Sequence, residues 1–289
     1  MGGLASFGQL AALCPRSEIA ARLADGCIVR DSHGRYALPE VDGSRRQAHA
    51  LNGTVSHTSA ALLWGWKVKE VPDKPHLTFP RRRNVPAASQ RSCIPHWADL
   101  GPDDVTDGVT SRERTLVDVL RSLPFDEALC VADSALRDGV GPSNLAALAR
   151  GLRGAGAARA RSVANVADGR AANPFESTLR AIALSVPGLH VEPQVPLTVG
   201  GRYVQPDLVD LDLGIILEAD SQEWHNSNRG QLLRDCRRYT AIVVAGWLVV
   251  RFAWEDVMNH PEFIHEQLAA LVALAAERAE VLRVPSRHA

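Results

Sequence analysis

Asp207, Glu218 and Asp220 fall within one short stretch, YVQPDLVDLDLGIILEADSQEWH at 203–225, whose other residues are largely apolar. Two apolar runs flank a short acidic turn, which reads as a β-hairpin. Residues two apart on a strand share a face, so Glu218 and Asp220 point the same way and Asp207 on the neighbouring strand can approach them. Glu176, on the preceding helix, could join from above. Carboxylates this close repel one another and are costly to bury. A hard divalent cation would compensate them, and oxygen ligands suit Mg²⁺ or Mn²⁺. Such an ion acidifies water and stabilises charge on a phosphoryl oxygen. The alternative is a solvated acidic hairpin, against which Ile215, Ile216 and Leu217 argue.

His225 follows closely and has the near-neutral pKa of a general base; packed beside Trp224 it would be structural instead. Asp235 and Arg238 stand one helical turn apart. They could form a surface ion pair of little worth, or Asp235 could support His225 while Arg234 and Arg238 grip phosphate. Arg251 points opposite to Val250 and Phe252 on its strand and could reach the site or pair structurally.

The elements that must hold these residues read as follows. NPFESTLRAIAL (173–184) is a helix with Pro174 in its first turn, where proline is tolerated. HVEPQVPL (190–197) is a strand, and 203–211 with 214–220 form the hairpin. RGQLLRDCRRYTAIVVA (229–245) is a helix with Leu232, Cys236, Tyr239 and Val243 on one face. WLVVRF (247–252) is a buried strand, and a long helix runs over 254–278. The order is α-β-β-β-α-β-α, assigned to a domain spanning 173–289. Ahead of it, 1–45 reads as helix, helix and hairpin, the outline of a winged helix, with Arg16, Arg22, Arg30 and Arg35 suited to phosphate contacts. Its first helix (4–13) is short, and a small helical cap is the plainer reading. Residues 46–145 form a mixed α/β middle region, in which Arg81, Arg82 and Arg83 suit either a nucleic-acid backbone or a solvated turn. Residues 146–172 form a basic helical connector.

Composition bounds the alternatives. The chain has 289 residues, 46% hydrophobic and 22% charged, enough for two domains. Its net charge is −1, so any basic surface for nucleic acid is local. Lysine occurs only at Lys67, Lys69 and Lys74; the other basic residues are arginines, a bias that with abundant alanine reads as a GC-rich genome. The five cysteines lie apart, with no CxxC pair, which argues against a structural zinc site and fits a reducing cytoplasm. No signal peptide is evident, and the apolar run at 242–250 is far too short to span a bilayer.

The C-terminal order and spacing resemble the PD-(D/E)xK nuclease superfamily. Pro206-Asp207 matches the PD element, and Glu218-Ala219-Asp220 stands at the (D/E)xK element. More closely, 173–270 looks like domains related to the very-short-patch repair endonucleases: EAD (218–220), His225, DCRR (235–238) and GWLVVRF (246–252) fall in the same order. The superfamily's usual lysine is replaced by Asp220, which could be a third metal ligand or orient water. GRYALP (34–39), VSHTSAALLWG (55–65) and TSRERTLVDVLRSLP (110–124) resemble an actinobacterial family with the winged-helix start of abortive-infection antitoxins. That likeness implies DNA-binding or regulatory capacity.

The expected fold is α+β or α/β, a winged-helix-like region before a restriction-endonuclease-like α-β-β-β-α-β core. The expected function is a cytoplasmic, Mg²⁺- or Mn²⁺-dependent DNA endonuclease, a nicking enzyme unless it dimerises. Asp207, Glu218 and Asp220 would be its metal ligands, with Glu176 and His225 in the catalytic group. DNA is the expected partner, membrane is not, and a homodimer or a toxin–antitoxin or defence partner is left open. The rival is a DNA-binding regulator or antitoxin-like protein on an inactive nuclease fold. A protein-binding scaffold, the third class, would lack salt-dependent affinity for nucleic acid.

Overall fold

Ser6 closes strand β1 (Leu4–Ser6) and caps helix α1 (Phe7–Ala11): its hydroxyl accepts from Gln9 N–H at 3.3 Å, and Gln9 returns a bond to Ser6 N–H at 2.8 Å. The expected first helix thus loses its opening residues to a strand, because Leu4–Ser6 pairs with Arg35–Ala37. Helix α2 (Arg16–Ala24) and strands β2 (Val29–Ser32) and β3 (Arg35–Ala37) follow, and the three strands form an antiparallel sheet in the order β1-β3-β2. The chain continues through α3 (Gly43–Leu51), β4 (Thr54–Val55), α4 (His57–Leu63), β5 (His76–Phe79), α5 (Ala87–Gln90), β6 (Ile94–Trp97), β7 (Val105–Thr106), β8 (Val109–Thr110) and α6 (Arg112–Ser122). These strands form a mixed five-stranded sheet, β6-β5-β4-β8-β7, around a core that includes Val55, Ala60, Leu77, Phe79 and Val109.

This computed structural model describes residues 2–220 and 229–283. It divides into two units. The first runs to Ser122 and takes in Leu145–Arg161; the second comprises Leu123–Asn144 and everything from Ser162 on. Helix α7 (Phe125–Arg137) follows the first boundary, and the others pass through two helices, α8 (Pro142–Gly151) and α9 (Ala157–Val166). Helix α7, which the sequence places in the middle region, belongs to the second unit. Its Asp133 explains why. This fully buried carboxylate accepts two bonds of 2.7 Å from Arg180, one of 2.7 Å from Ser177 Oγ and one of 2.8 Å from Asp168 N–H. Arg180 and Ser177 sit on α10 (Pro174–Ala183), so the charge pair ties α7 to α10.

Beyond α10 come β9 (Glu192–Pro193), β10 (Leu197–Val199), β11 (Arg202–Val204), β12 (Leu208–Asp210), β13 (Ile215–Asp220), α11 (Arg229–Val244), β14 (Leu248–Ala253), α12 (Trp254–Asn259) and α13 (Pro261–Arg283). Strands β10 and β11 make a separate antiparallel pair, so the expected strand over 203–211 is broken near Pro206. The hairpin itself forms: β12 pairs antiparallel with β13. Its turn is held by the buried Asp210 carboxylate, which accepts from Asp212 and Leu213 N–H, and Gly214 supplies the φ of +65° that follows. Strand β14 joins β13 in parallel, giving a sheet ordered β14-β13-β12-β9. Both faces of β13 are covered. Ile215 and Leu217 enter one core with Leu179, Phe252 and Leu268; Ile216 enters another with Val209 and Ile242 of α11. Both units mix helix and sheet, and no helix among the described residues is long and apolar enough to cross a membrane.

Removing Asp133 would strand Arg180 as a buried, unpaired charge. Asp133→Ala should therefore cost the second unit about 3–5 kcal/mol. Denaturant unfolding measures this directly, and an unchanged midpoint would show that the pair is dispensable.

Candidate functional site

The pleat of β13 decides where the acids go. Glu218 lies two residues beyond Ile216 and Asp220 two beyond that, so both carboxylates share the face covered by α11. Asp207 lies immediately before β12, and its Oδ2 accepts from Ala219 N–H at 2.9 Å. Glu176 sits in the first turn of α10, where Asn173 caps the helix by accepting from Glu176 N–H at 3.0 Å. The Glu176 carboxylate accepts from Ala172 N–H at 2.9 Å and from Asn173 Nδ2 at 2.8 Å. Gln194 links the two elements: its Nε2 reaches Glu176 Oε2 at 3.0 Å and Asp207 Oδ1 at 3.2 Å. The Gln194 backbone is left-handed, φ +55°, a conformation that costs a non-glycine residue about 1–3 kcal/mol and so marks a position the surroundings impose.

Asp207 and Glu218 are neighbours, close enough for the charge of one to act on the other. Burial, and then the neighbouring Asp207 charge, push the Glu218 carboxyl up to about 7, although Arg238 on α11 hydrogen-bonds to it. Burial also raises Asp207 and Glu176. Asp220 is less enclosed and pairs with Arg251 of β14. Both guanidinium groups lie over the Tyr239 ring, Arg238 at 4.9 Å and Arg251 at 4.5 Å from its centroid. Burial lifts the Tyr239 hydroxyl to about 12. A cleft of about 410 Å³ opens beside them, lined by Asp235, Tyr239, Thr240, Val249 and Arg251 among others.

Of the residues singled out in the sequence, Asp207, Glu218, Glu176 and Arg238 thus come together, with Asp220 beside them on Arg251. Among the described residues no three acids lie at metal-ligand spacing, and Asp207 and Glu218 are the two whose charges act on each other. Arg234 is exposed on α11. The inward face of that helix also differs from its sequence reading: Ile242 is fully buried, whereas Val243 is 56% exposed. His225 lies outside the described residues. In the first unit Arg16 stacks over Phe7, Arg30 contacts His33 Nδ1 at 3.0 Å, and Arg35 hydrogen-bonds to Asn52. Arg83 ties down the carbonyls of Leu51 and Asn52, a structural role. Sequence reasoning missed Gln194, which lay in an ordinary strand pattern, and Tyr239, read only as an apolar-face residue.

Over 292 aligned residues the chain is 34% identical to uncharacterized protein MT2308 of Mycobacterium tuberculosis (strain CDC 1551 / Oshkosh), covering 92% of this chain and 98% of that protein. The same figures hold for uncharacterized protein Rv2248 of Mycobacterium tuberculosis (strain ATCC 25618 / H37Rv). No family model matches the chain. The crystal structure of RV2827C protein from Mycobacterium tuberculosis aligns over 61% of this chain and 74% of that one, at 15% identity and a TM-score of 0.36, too low to establish a common fold.

The raised Glu218 carboxyl fixes the sign of a pH effect. With its value lifted from 4.5 to about 7, the folded state holds the proton more tightly than the unfolded chain. This contribution to stability is complete below pH 4.5 and is lost as pH rises through about 7. Thermal unfolding in EDTA should show that decline, and Glu218→Gln should flatten it. An identical pH slope in the variant would remove Glu218 as the titrating group.

Proposed function

The chain belongs to the same family as these two uncharacterized mycobacterial proteins, and from its acidic site we propose a metal-dependent DNA endonuclease served by a DNA-binding N-terminal region. The carrying observation is the pair of neighbouring acids Asp207 and Glu218 at the end of the hairpin, Glu218 buried, with Glu176 behind Asp207 through Gln194. Two neighbouring carboxylates oppose each other's ionisation. A hard cation would relieve that repulsion, and the donor set, all carboxylate oxygen, fits Mg²⁺ or Mn²⁺. Asp207 and Glu218 would hold it, and Asp220 would join if released from Arg251. When bound, the ion would acidify water and offset charge on a phosphoryl oxygen.

The remaining roles belong to the chain itself. Glu176 and Gln194 orient Asp207. The Nε of Arg238 is buried and lacks a hydrogen-bond partner among the described residues, which leaves a donor for a phosphodiester oxygen. Arg234, exposed on the same helix, would extend the grip. Arg251, opposite Glu218 in the β13–β14 register, supplies positive charge where the superfamily carries lysine. Arg16, Arg30 and Arg35 are the first unit's candidates for sequence-independent phosphate contacts. One such site per chain suits nicking, with 5′-phosphate and 3′-hydroxyl ends implied by the superfamily resemblance. The proposed setting is the cytoplasm.

A regulator or antitoxin-like protein on an inactive nuclease fold is the second reading. One observation favours it: Arg238 meets Glu218 and Arg251 meets Asp220, so the chain already matches two of its acids with its own cations.

Supercoiled plasmid incubated with the protein in Mg²⁺, Mn²⁺ or EDTA separates the two. The nuclease reading expects metal-dependent nicking that falls at least about 100-fold in Asp207→Asn, the scale on which loss of one catalytic group acts. No cleavage with either metal, alongside salt-sensitive DNA binding, would establish the regulator.

A further inference from the structure

The first unit holds a second set of ligand-type side chains. His57 opens α4, His76 opens β5, and His96 lies in β6. Strands β5 and β6 are parallel, with His96 opposite Thr78, and His76 precedes Thr78 by two residues, so both imidazoles stand on one face of the sheet. His57 comes over them from the helix, its ring 3.6 Å from that of His96 and 5.8 Å from that of His76. One ring nitrogen from each histidine lies within 4.8 Å of the other two.

Three observations go beyond the packing of ordinary core histidines. His57 has φ +50°, a backbone state rarely occupied by residues other than glycine, so the fold spends strain to place this imidazole. Its Nδ1 lies 2.9 Å from Ser56 Oγ, which already accepts the Thr78 hydroxyl at 2.7 Å. Donation of Nδ1–H to Ser56 leaves Nε2 unprotonated, the arrangement by which an outer hydrogen bond prepares a histidine ligand. Finally, His76 Nδ1 and His96 Nε2 are hydrogen-bonded to each other at 2.9 Å, one ring donating and the other accepting, so an ion entering between them would take the place of that proton. Burial holds His57 at about 2 and His96 at about 4 and lowers His76, so all three rings are neutral at ordinary pH, and the donor of the His76–His96 bond would bind an ion by carrying its proton on its other ring nitrogen.

We propose that His57, His76 and His96 form a three-imidazole site for a divalent transition-metal ion, Zn²⁺. Nitrogen ligands 2.0–2.1 Å from a tetrahedral ion stand about 3.3 Å apart, so the His76–His96 contact would open by a few tenths of an ångström. Imidazole selects Zn²⁺ over Mg²⁺, which prefers oxygen, so this site and the acidic pair differ in the ion they take. The half-buried His76 and His96 leave the fourth position open to water or an anion. The absence of CxxC pairs does not bear on it, because no thiolate is needed.

The test is calorimetric titration of the full chain with ZnCl₂ after chelator dialysis. Cys27→Ser and Cys236→Ser are included because both thiols are exposed, and an exposed thiol is a zinc ligand in its own right. The expected result is one Zn²⁺ per chain, lost in His96→Asn and in His76→Asn and retained in Asp207→Asn. Circular dichroism confirms that each variant is folded, and His96→Cys, which restores a ligand, should restore the equivalent. No zinc uptake, or an equivalent that survives both asparagine variants, would overturn the proposal; so would loss of the equivalent in Asp207→Asn, which would assign the ion to the acids.

Discussion

Taking a carboxylate out of water costs several kcal/mol unless donors or cations meet it, and the second unit is built around four places where it does so. Asp133 is met by Arg180, Ser177 and a backbone N–H, and locks α7 to α10. Asp210 is met by three backbone N–H groups, from His190, Asp212 and Leu213, and locks the hairpin turn. Glu176 is met by Ala172, Asn173 and Gln194 at a helix start. Glu218 is different. Its compensation is Arg238, and its other neighbour is another acid, Asp207. Buried acids satisfied by fixed dipoles hold structure; the pair whose charges oppose each other is where a cation has most to offer.

The positive charges around these acids follow the same physics. In the β13–β14 pairing Arg251 stands opposite Glu218, yet its guanidinium turns to Asp220, and both arginines stack on Tyr239. Arginine cannot give up its proton and presents a planar fork of donors, so it can neutralise an acid or hold phosphate but cannot serve as a base. The positive charge at this site is therefore electrostatic, supplied from β14 and α11 rather than from β13. The two units also differ in donor chemistry, hard carboxylate oxygen in one and imidazole nitrogen in the other, each within its own sheet-and-helix framework.

Much of this was legible in advance because it depends on local periodicity. The two-residue period of β13 put Glu218 and Asp220 on one face, and Asn173-Pro174 announced the start of α10. Where the sequence misled, a longer-range contact was responsible. Leu4–Ser6 became a strand because β3 was there to pair with it, and α11 turned Ile242 rather than Val243 inward because Val209 and Ile216 lay beneath it. The histidines at 57, 76 and 96 gave no spacing signal, since they come from a helix start and two strands of one sheet.

By itself, then, the sequence determined the hairpin, the helix that carries Glu176 and the presence of closely spaced acids. These follow from residue type and period, which act over a few positions. Tertiary structure alone decided which acids are met by fixed donors and which lie against another acid, that Gln194 bridges Glu176 and Asp207, and that three distant histidines converge. Those outcomes depend on burial and on partners far apart in the chain, and no local pattern records either.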